Sequence, residues 1–155
     1  MRESVTAFVA LGANLGDPVA GVLRAIDDLA ALGGITLLRR SSLYRSAPLA
    51  SSGQDYINAV VELESALTAP ALLAALQQLE QQAGRERPYP NAPRTLDLDL
   101  LIYGHASVDS ATLVLPHPRM LERAFVLLPL FEIAPQRVTS AQLEAVRAQA
   151  IKRID

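Results

Sequence analysis

The chain alternates between two hydrophobic periods, and each change of period marks a change of element. Thr6 to Leu11 is a short apolar run that reads as a strand ending in a Gly12-Ala13-Asn14-Leu15-Gly16 turn. Asp17 is placed to cap a helix with Pro18 at its first position, and Val19, Val22, Leu23, Ile26 and Leu29 form its apolar stripe. Gly33-Gly34 ends that helix, and Ile35 to Tyr44 reads as a second strand. In the third strand Ile57, Ala59, Val61 and Leu63 alternate with Tyr56, Asn58, Val60, Glu62 and Glu64. Thr68 and Pro70 open a second helix with Leu72, Leu73, Leu76 and Leu79 inward, closed by Gly84. A loop with Arg85, Arg87 and three prolines leads to a fourth strand, Leu96-Asp97-Leu98-Asp99-Leu100-Leu101-Ile102-Tyr103.

The order β-α-β-β-α-β predicts an α+β, ferredoxin-like sheet with both helices on one face. Later segments add one or two short strands within Ser107–Leu115, a short helix within Arg119–Glu132 and a C-terminal helix from Gln142 to Ile151. Length fits a single domain over residues 1–155, and no repeat or linker interrupts it. If the apolar sets of strands three and four face the helices, then Leu98, Leu100 and Ile102 point inward. Tyr56, Asn58, Asp97 and Asp99 then share the opposite face.

That shared face is where chemistry enters. Side chains of Asp97 and Asp99 leave the strand on one side, with Cα atoms about 6.5–7 Å apart. Carboxylates that close repel each other, and a core would protonate or expel them. A divalent cation removes the conflict, because side-by-side carboxylates are hard-oxygen ligands suited to magnesium, and two such ions could share them. A polar, solvated edge strand would also account for the pair, although aspartate is disfavoured in strands. Arg85, Arg87, Arg94, Arg119 and Arg123 flank the strand, and guanidinium forks suit phosphate oxygens. His117 stands between Pro116 and Pro118 in a stiff corner. Gln77 and Glu80 share one face of the second helix. Tyr56 beside Asn58 suits a flat ligand, offering a ring to stack and an amide to hydrogen-bond, whereas Phe125 alone reads as core.

Composition narrows the classes. The chain has no cysteine, which removes thiol nucleophiles and zinc–thiolate sites, and its two histidines, His105 and His117, cannot form an HExxH site. Its one lysine is Lys152, so no P-loop is present and phosphate-binding charge must come from arginine. A net charge of −2 argues against a nucleic-acid surface. No signal-peptide pattern or bilayer-length apolar run is seen, so a cytoplasmic protein without membrane contact is expected, and a monomer.

The stretch Ala92-Pro93-Arg94-Thr95-Leu96-Asp97-Leu98-Asp99-Leu100-Leu101 resembles the hallmark of the 6-hydroxymethyl-7,8-dihydropterin pyrophosphokinases of folate biosynthesis. The resemblance extends in order through Leu11–Gly16, Ser42–Ser46, Asp55–Ala59, Glu80–Arg85, Leu115–Pro118 and Pro129–Pro135. It implies transfer of pyrophosphate from ATP to the pterin's hydroxymethyl oxygen, releasing AMP. It further implies that Asp97 and Asp99 hold two Mg2+ ions, and that Gln77, Glu80, Arg85, Arg87, Arg94, His117 and Arg123 contact ATP. Tyr56 and Phe125 would sandwich the pterin, with Asn58, Asp97 and the Ser46–Leu49 backbone at its edge. Arg85, Arg94, Asp97, Asp99 and His117 would form the catalytic set. The pattern departs at Pro90 and Asn91, where the family often has a basic residue and then an aromatic; Tyr89 is the nearest substitute in a loop expected to close over the ligands. No general base is assigned. A ferredoxin-like binding module and a metal-dependent phosphohydrolase are the rival readings.

Overall fold

The computed structural model describes residues 4–47, 55–84 and 96–155. Its strands are β1 (Val5–Ala13), β2 (Ile35–Arg40), β3 (Tyr44–Ser46), β4 (Tyr56–Ser65), β5 (Asp97–Tyr103), β6 (Val108–Asp109), β7 (Val114–Leu115) and β8 (Ile151–Arg153). Its helices are α1 (Pro18–Ala30), α2 (Ala69–Ala83), α3 (Ala124–Ile133) and α4 (Ser140–Ala145). The main sheet runs β5-β1-β4-β3-β8, with β2 also pairing β4, and every pairing is antiparallel. β6 and β7 form a separate small hairpin. This is the α+β architecture that the order of periods predicts.

Both long helices start where their caps dictate. The Asp17 carboxylate accepts from Ala20 N at 3.2 Å and the Thr68 hydroxyl from Ala71 N at 3.2 Å, each with proline in the first turn. Such a cap stabilises a helix by about 1 kcal/mol. Val22, Ala25, Ile26 and Leu29 of α1 and Leu72 and Leu76 of α2 are buried against one sheet face. From β4 that face receives Ile57, Ala59, Val61 and Leu63, none more than 2% exposed. The opposite face has its own core, in which Phe8, Ala10, Val60 and Leu101 pack beneath α3, whose Val126, Leu127 and Leu130 are buried. The second face is therefore partly roofed by α3 rather than open.

Four local expectations change. β1 runs on to Ala13, so Gly12 lies within a strand instead of opening the turn. The second strand stops at Arg40 and resumes as β3 at Tyr44. Between them Ser41 Oγ accepts Val60 N at 2.9 Å, and a side chain takes over a ladder bond. Ile102 does not join Leu98 and Leu100. The β1–β5 register shifts, pairing Phe8 with Ile102 but Val9 with Leu100. Leu101 is the extra residue, and the bulge sends Leu101 and Ile102 to the α3 core and Tyr103 to the helix side. Finally, no helix spans Gln142–Ile151. α4 ends at Ala145, and Ile151–Arg153 pairs with Tyr44–Ser46 as β8, because backbone bonds to a sheet edge replace those of a further helical turn.

Candidate functional site

Antiparallel register builds the site across three strands. Asp97 is paired with Gly12, Gly12 with Asn58, and Asn58 with Tyr44. One step along, Asp99 pairs with Ala10 and Ala10 with Val60. Directly paired residues project to the same face, so Asp97, Asp99, Asn58 and Tyr56 all lie on the second face, as period-two patterning predicts. Two strand spacings, about 10 Å, separate Asp97 from Asn58. The position between them carries no side chain. A Cβ at Gly12 would stand 3.1 Å from Asn58 Nδ2, so glycine keeps a hollow in the floor between carboxylate and amide.

Asn58 is only 4% exposed, and its orientation is set by the Ser46 hydroxyl, which donates to Oδ1 at 2.7 Å. With Oδ1 taken, the amide turns Nδ2 toward Gly12. Ser46 pairs with Tyr56, which is half-buried on the same face. Phe125, also half-buried, comes from the first turn of α3 above this region. A cavity of about 170 Å³ lies between Ser46 and Ala47 on one side and Phe125 and Gln149 on the other.

Two groups converge on Asp99. The Arg123 guanidinium lies 3.8 Å from Oδ2 and the His117 imidazole 3.9 Å from Oδ1. Asp99's side chain is 41% exposed, so each contact adds at most about 1 kcal/mol, and stability does not explain the arrangement. Arg123 also stands over the Phe125 ring at 5.4 Å. His117 is anchored by its backbone N–H, which donates to Leu101 O at 2.9 Å, and its ring Nδ1 accepts Arg119 N–H at 3.2 Å. Burial pushes the imidazole below its usual range; Asp99 opposes this, and Arg123 and Arg119 add to it. A neutral ring with Nδ1 occupied as acceptor carries its proton on Nε2, on the Asp99 side. Beside it, Leu73, Asp99, Leu113, His117 and Pro118 line a pocket of about 260 Å³ between α2, β5 and the β6–β7 hairpin.

Glu80 of α2 reaches the same strand. Its Oε2 accepts Leu98 N at 2.7 Å and holds the β5 end that carries both aspartates. Gln77 is exposed one turn earlier. At the far end of α3, Glu132 accepts the Tyr44 hydroxyl at 2.7 Å together with the Ser42 N–H and hydroxyl. Burial pushes the Tyr44 phenol well above its usual range, with Glu132 adding to it. Burial alone would raise the Glu132 carboxyl too, but those hydrogen bonds hold it below its ordinary value. This clasp fixes α3 over β3.

The structure thus gathers Ser46, Tyr56, Asn58, Asp97, Asp99, His117, Arg123 and Phe125 on or beside one sheet face. Gln77 lies off it, and Glu80 supports it from behind. Leu49, Arg85, Arg87 and Arg94 lie outside the described residues, as do Tyr89, Pro90 and Asn91. Gly12, Tyr44 and Glu132 are parts of the assembly that sequence reasoning missed. For Gly12, the available signal was its pairing opposite Asn58 if the first strand is extended by two residues. Among the described residues no group of three or more His, Asp or Glu side chains could hold a metal by itself, and no helix is long and apolar enough to cross a membrane.

The antiparallel sheet carries α1 and α2 on one face and, beside α3 on the other, carboxylates, an amide, an imidazole and a guanidinium, which defines an α+β protein with a polar site on its second sheet face. The model of the 7,8-dihydro-6-hydroxymethylpterin-pyrophosphokinase (HPPK) family matches residues 8–135. Similar proteins named 2-amino-4-hydroxy-6-hydroxymethyldihydropteridine pyrophosphokinase include three with identities above 40%. The one from Synechocystis is 43% identical over 96% of this chain and 76% of its own length. That from Haemophilus influenzae is 42% identical over 86% and 84%, and that from Methylorubrum extorquens 41% over 96% and 93%. Among solved structures, an HPPK-DHPS protein in complex with substrates superposes with a TM-score of 0.70 at 12% identity, covering 94% of this chain and 43% of that one. The chain belongs to the HPPK family of ATP-dependent pyrophosphokinases.

Proposed function

We infer that this chain transfers the terminal diphosphate of ATP to the hydroxymethyl group of 6-hydroxymethyl-7,8-dihydropterin and releases AMP. The observation that carries this reading is the row Asp97–Gly12–Asn58, with Asp99, His117 and Arg123 beside it, in a chain of this family. The hydroxymethyl oxygen attacks the β-phosphorus, the bond to the α–β bridging oxygen breaks, AMP leaves, and the hydroxyl proton passes to water.

The Asn58 amide, held by Ser46, suits the hydrogen-bonding edge of the pterin, and Gly12 leaves room for the ring system. Tyr56 and Phe125 offer aromatic faces on either side. The pocket beside Asp99 and His117 suits the nucleotide base, which would place the triphosphate across Asp99. Neutral His117 donates Nε2–H to a phosphate oxygen without requiring protonation, and Arg123 adds a guanidinium to charge developing on the transferred group. Arg85, Arg87 and Arg94 are assigned to the same task from the sequence.

Asp97 and Asp99 fit magnesium. They supply hard oxygen donors from one face, and a two-carboxylate set leaves the remaining positions to phosphate oxygens and water, as magnesium prefers. When bound, magnesium supplies charge neutralisation along the triphosphate. Two cores sharing one sheet support a single domain, and a monomer completes the proposal. The test is incubation with magnesium, ATP and the pterin, followed by mass analysis. A pterin heavier by one diphosphate group is expected; unchanged pterin alongside intact ATP contradicts the reading.

A further inference from the structure

The two ligand-side walls are made by segments far apart in sequence. One is Ser46-Ala47 at the end of β3, and the other is the Arg123–Phe125 entry to α3. Within α3 the Arg123 carbonyl accepts the Val126 and Leu127 N–H groups, but Arg123 as N-terminal cap residue makes no side-chain capping bond to the first-turn N–H groups. The fixing group comes from the C-terminal tail. Gln149 Nε2 donates to Glu122 O at 2.7 Å, and Gln149 Oε1 accepts Ala124 N at 2.9 Å. One side-chain amide therefore binds the peptide carbonyl before Arg123 and the peptide N–H after it. The next residues grip the opposite wall. Ala47 N donates to Ala150 O at 3.4 Å, and Ile151 pairs with Ser46. Gln149, Ala150 and Ile151 also line the cavity between the walls.

We propose that Gln149 is a positioning residue that sets the gap between the Ser46 wall and the Phe125 ring and aims Arg123 at Asp99. Its amide substitutes for the missing helix cap and, through the strand that follows, ties that cap to the far side of the slot. The bond pattern needs both halves of the amide, a donor for Glu122 O and an acceptor for Ala124 N–H. A residue that merely stabilised α3 would need only the acceptor. The proposal rests on the functional reading above.

The test compares Gln149→Ala, Gln149→Glu and Gln142→Ala. Gln142 belongs to the capping box of α4, away from the slot, so its loss reports the cost of a missing cap alone. Wild-type turnover is measured first; no diphosphorylated pterin from wild type would sink the functional reading itself. With wild type active, Gln149→Ala is expected to lower kcat/KM for pterin by about tenfold or more, since small misplacements of reacting groups cost that much. Gln142→Ala should leave kcat/KM within about twofold while lowering the melting temperature. Gln149→Glu keeps the acceptor and loses the donor, so it should be as impaired as Gln149→Ala at neutral pH. It should recover relative to Gln149→Ala as pH falls toward about 5, where a growing fraction of glutamic acid is protonated and can donate. If Gln149→Ala proves too unstable to assay, the recovery of Gln149→Glu relative to wild type as pH falls toward about 5 carries the same decision. Wild-type kcat/KM in either Gln149 variant, equal losses in Gln149→Ala and Gln142→Ala, or no pH-dependent recovery would each overturn the proposal.

Discussion

The two faces of the sheet are made by the same strands and follow opposite rules. On the α1–α2 face, β4 contributes Ile57, Ala59, Val61 and Leu63, and the helices contribute Leu72 and Leu76, all nearly inaccessible to solvent. On the α3 face the same strand contributes Tyr56, Asn58, Val60 and Glu62, so that apolar and polar positions interleave. The first face is organised by volume. The second combines a smaller core at one end with two solvent-reached carboxylates at the other, where Asp97 is exposed and Asp99 half-exposed. Period two allows stability and chemistry to be carried by neighbouring residues with little interference, and it predicts that substitutions on the two faces fail in different assays.

The largest effect should come from the carboxylates. Asp97→Asn or Asp99→Asn is expected to lower turnover by at least about a thousandfold. The melting temperature of the metal-free protein should hold or rise, because like-charge repulsion is relieved. Turnover and thermal unfolding of the same preparations check this, and near-normal turnover in either variant removes the metal assignment.

The helix-covered face should show the reverse. Leu76→Ala is expected to cost about 2–5 kcal/mol in urea unfolding through the cavity it leaves, with unchanged KM for both substrates in the fraction that remains folded. A selective rise in one KM would show that the faces are coupled.

Gly12→Ala sharpens the comparison at a single methyl. Gly12 has no left-handed backbone to protect, and the added Cβ would stand 3.1 Å from Asn58 Nδ2. Pterin affinity by titration should fall about tenfold, with ATP affinity and melting temperature nearly unchanged. Equal loss for both ligands would mean that the hollow does not face the pterin.

The smallest effect concerns the clasp that holds α3. Hydrogen bonds from Tyr44 and Ser42 keep the Glu132 carboxyl below its ordinary value of 4.5 in the folded state. A depressed carboxylate contributes stability that is fully present above the unfolded-state value and is lost as pH falls through the folded-state value. Stability should therefore drop as pH falls below about 4.5, and Glu132→Gln should flatten that limb. Parallel limbs in wild type and variant would show that the clasp contributes nothing to acid stability.

The periodic features were legible in the chain. The caps at Asp17 and Thr68, the inward sets of β4, α1 and α2, and the common face of Tyr56, Asn58, Asp97 and Asp99 all follow from local chemistry. What failed depended on pairing between distant segments. Leu100-Leu101 gives no local sign that one of the two is a bulge, because that is decided by β1. The Gln142–Ile151 stretch carries helix-forming residues, yet Ile151–Arg153 is claimed by the edge of β3. Gly12 looks like turn punctuation until Asn58 is placed opposite it. His117 and Arg123 could be nominated by residue type, but their convergence on Asp99 depends on where Leu101 O and the α3 entry fall.

Attack at the β-phosphorus and attack at the γ-phosphorus leave different nucleotides, so the nucleotide product decides between them. Incubated with magnesium, ATP and 6-hydroxymethyl-7,8-dihydropterin, the protein should form AMP in equal amount to the pterin consumed, with no ADP, as chromatography of the mixture will resolve. Stoichiometric ADP, or AMP formed equally fast without pterin, would contradict it.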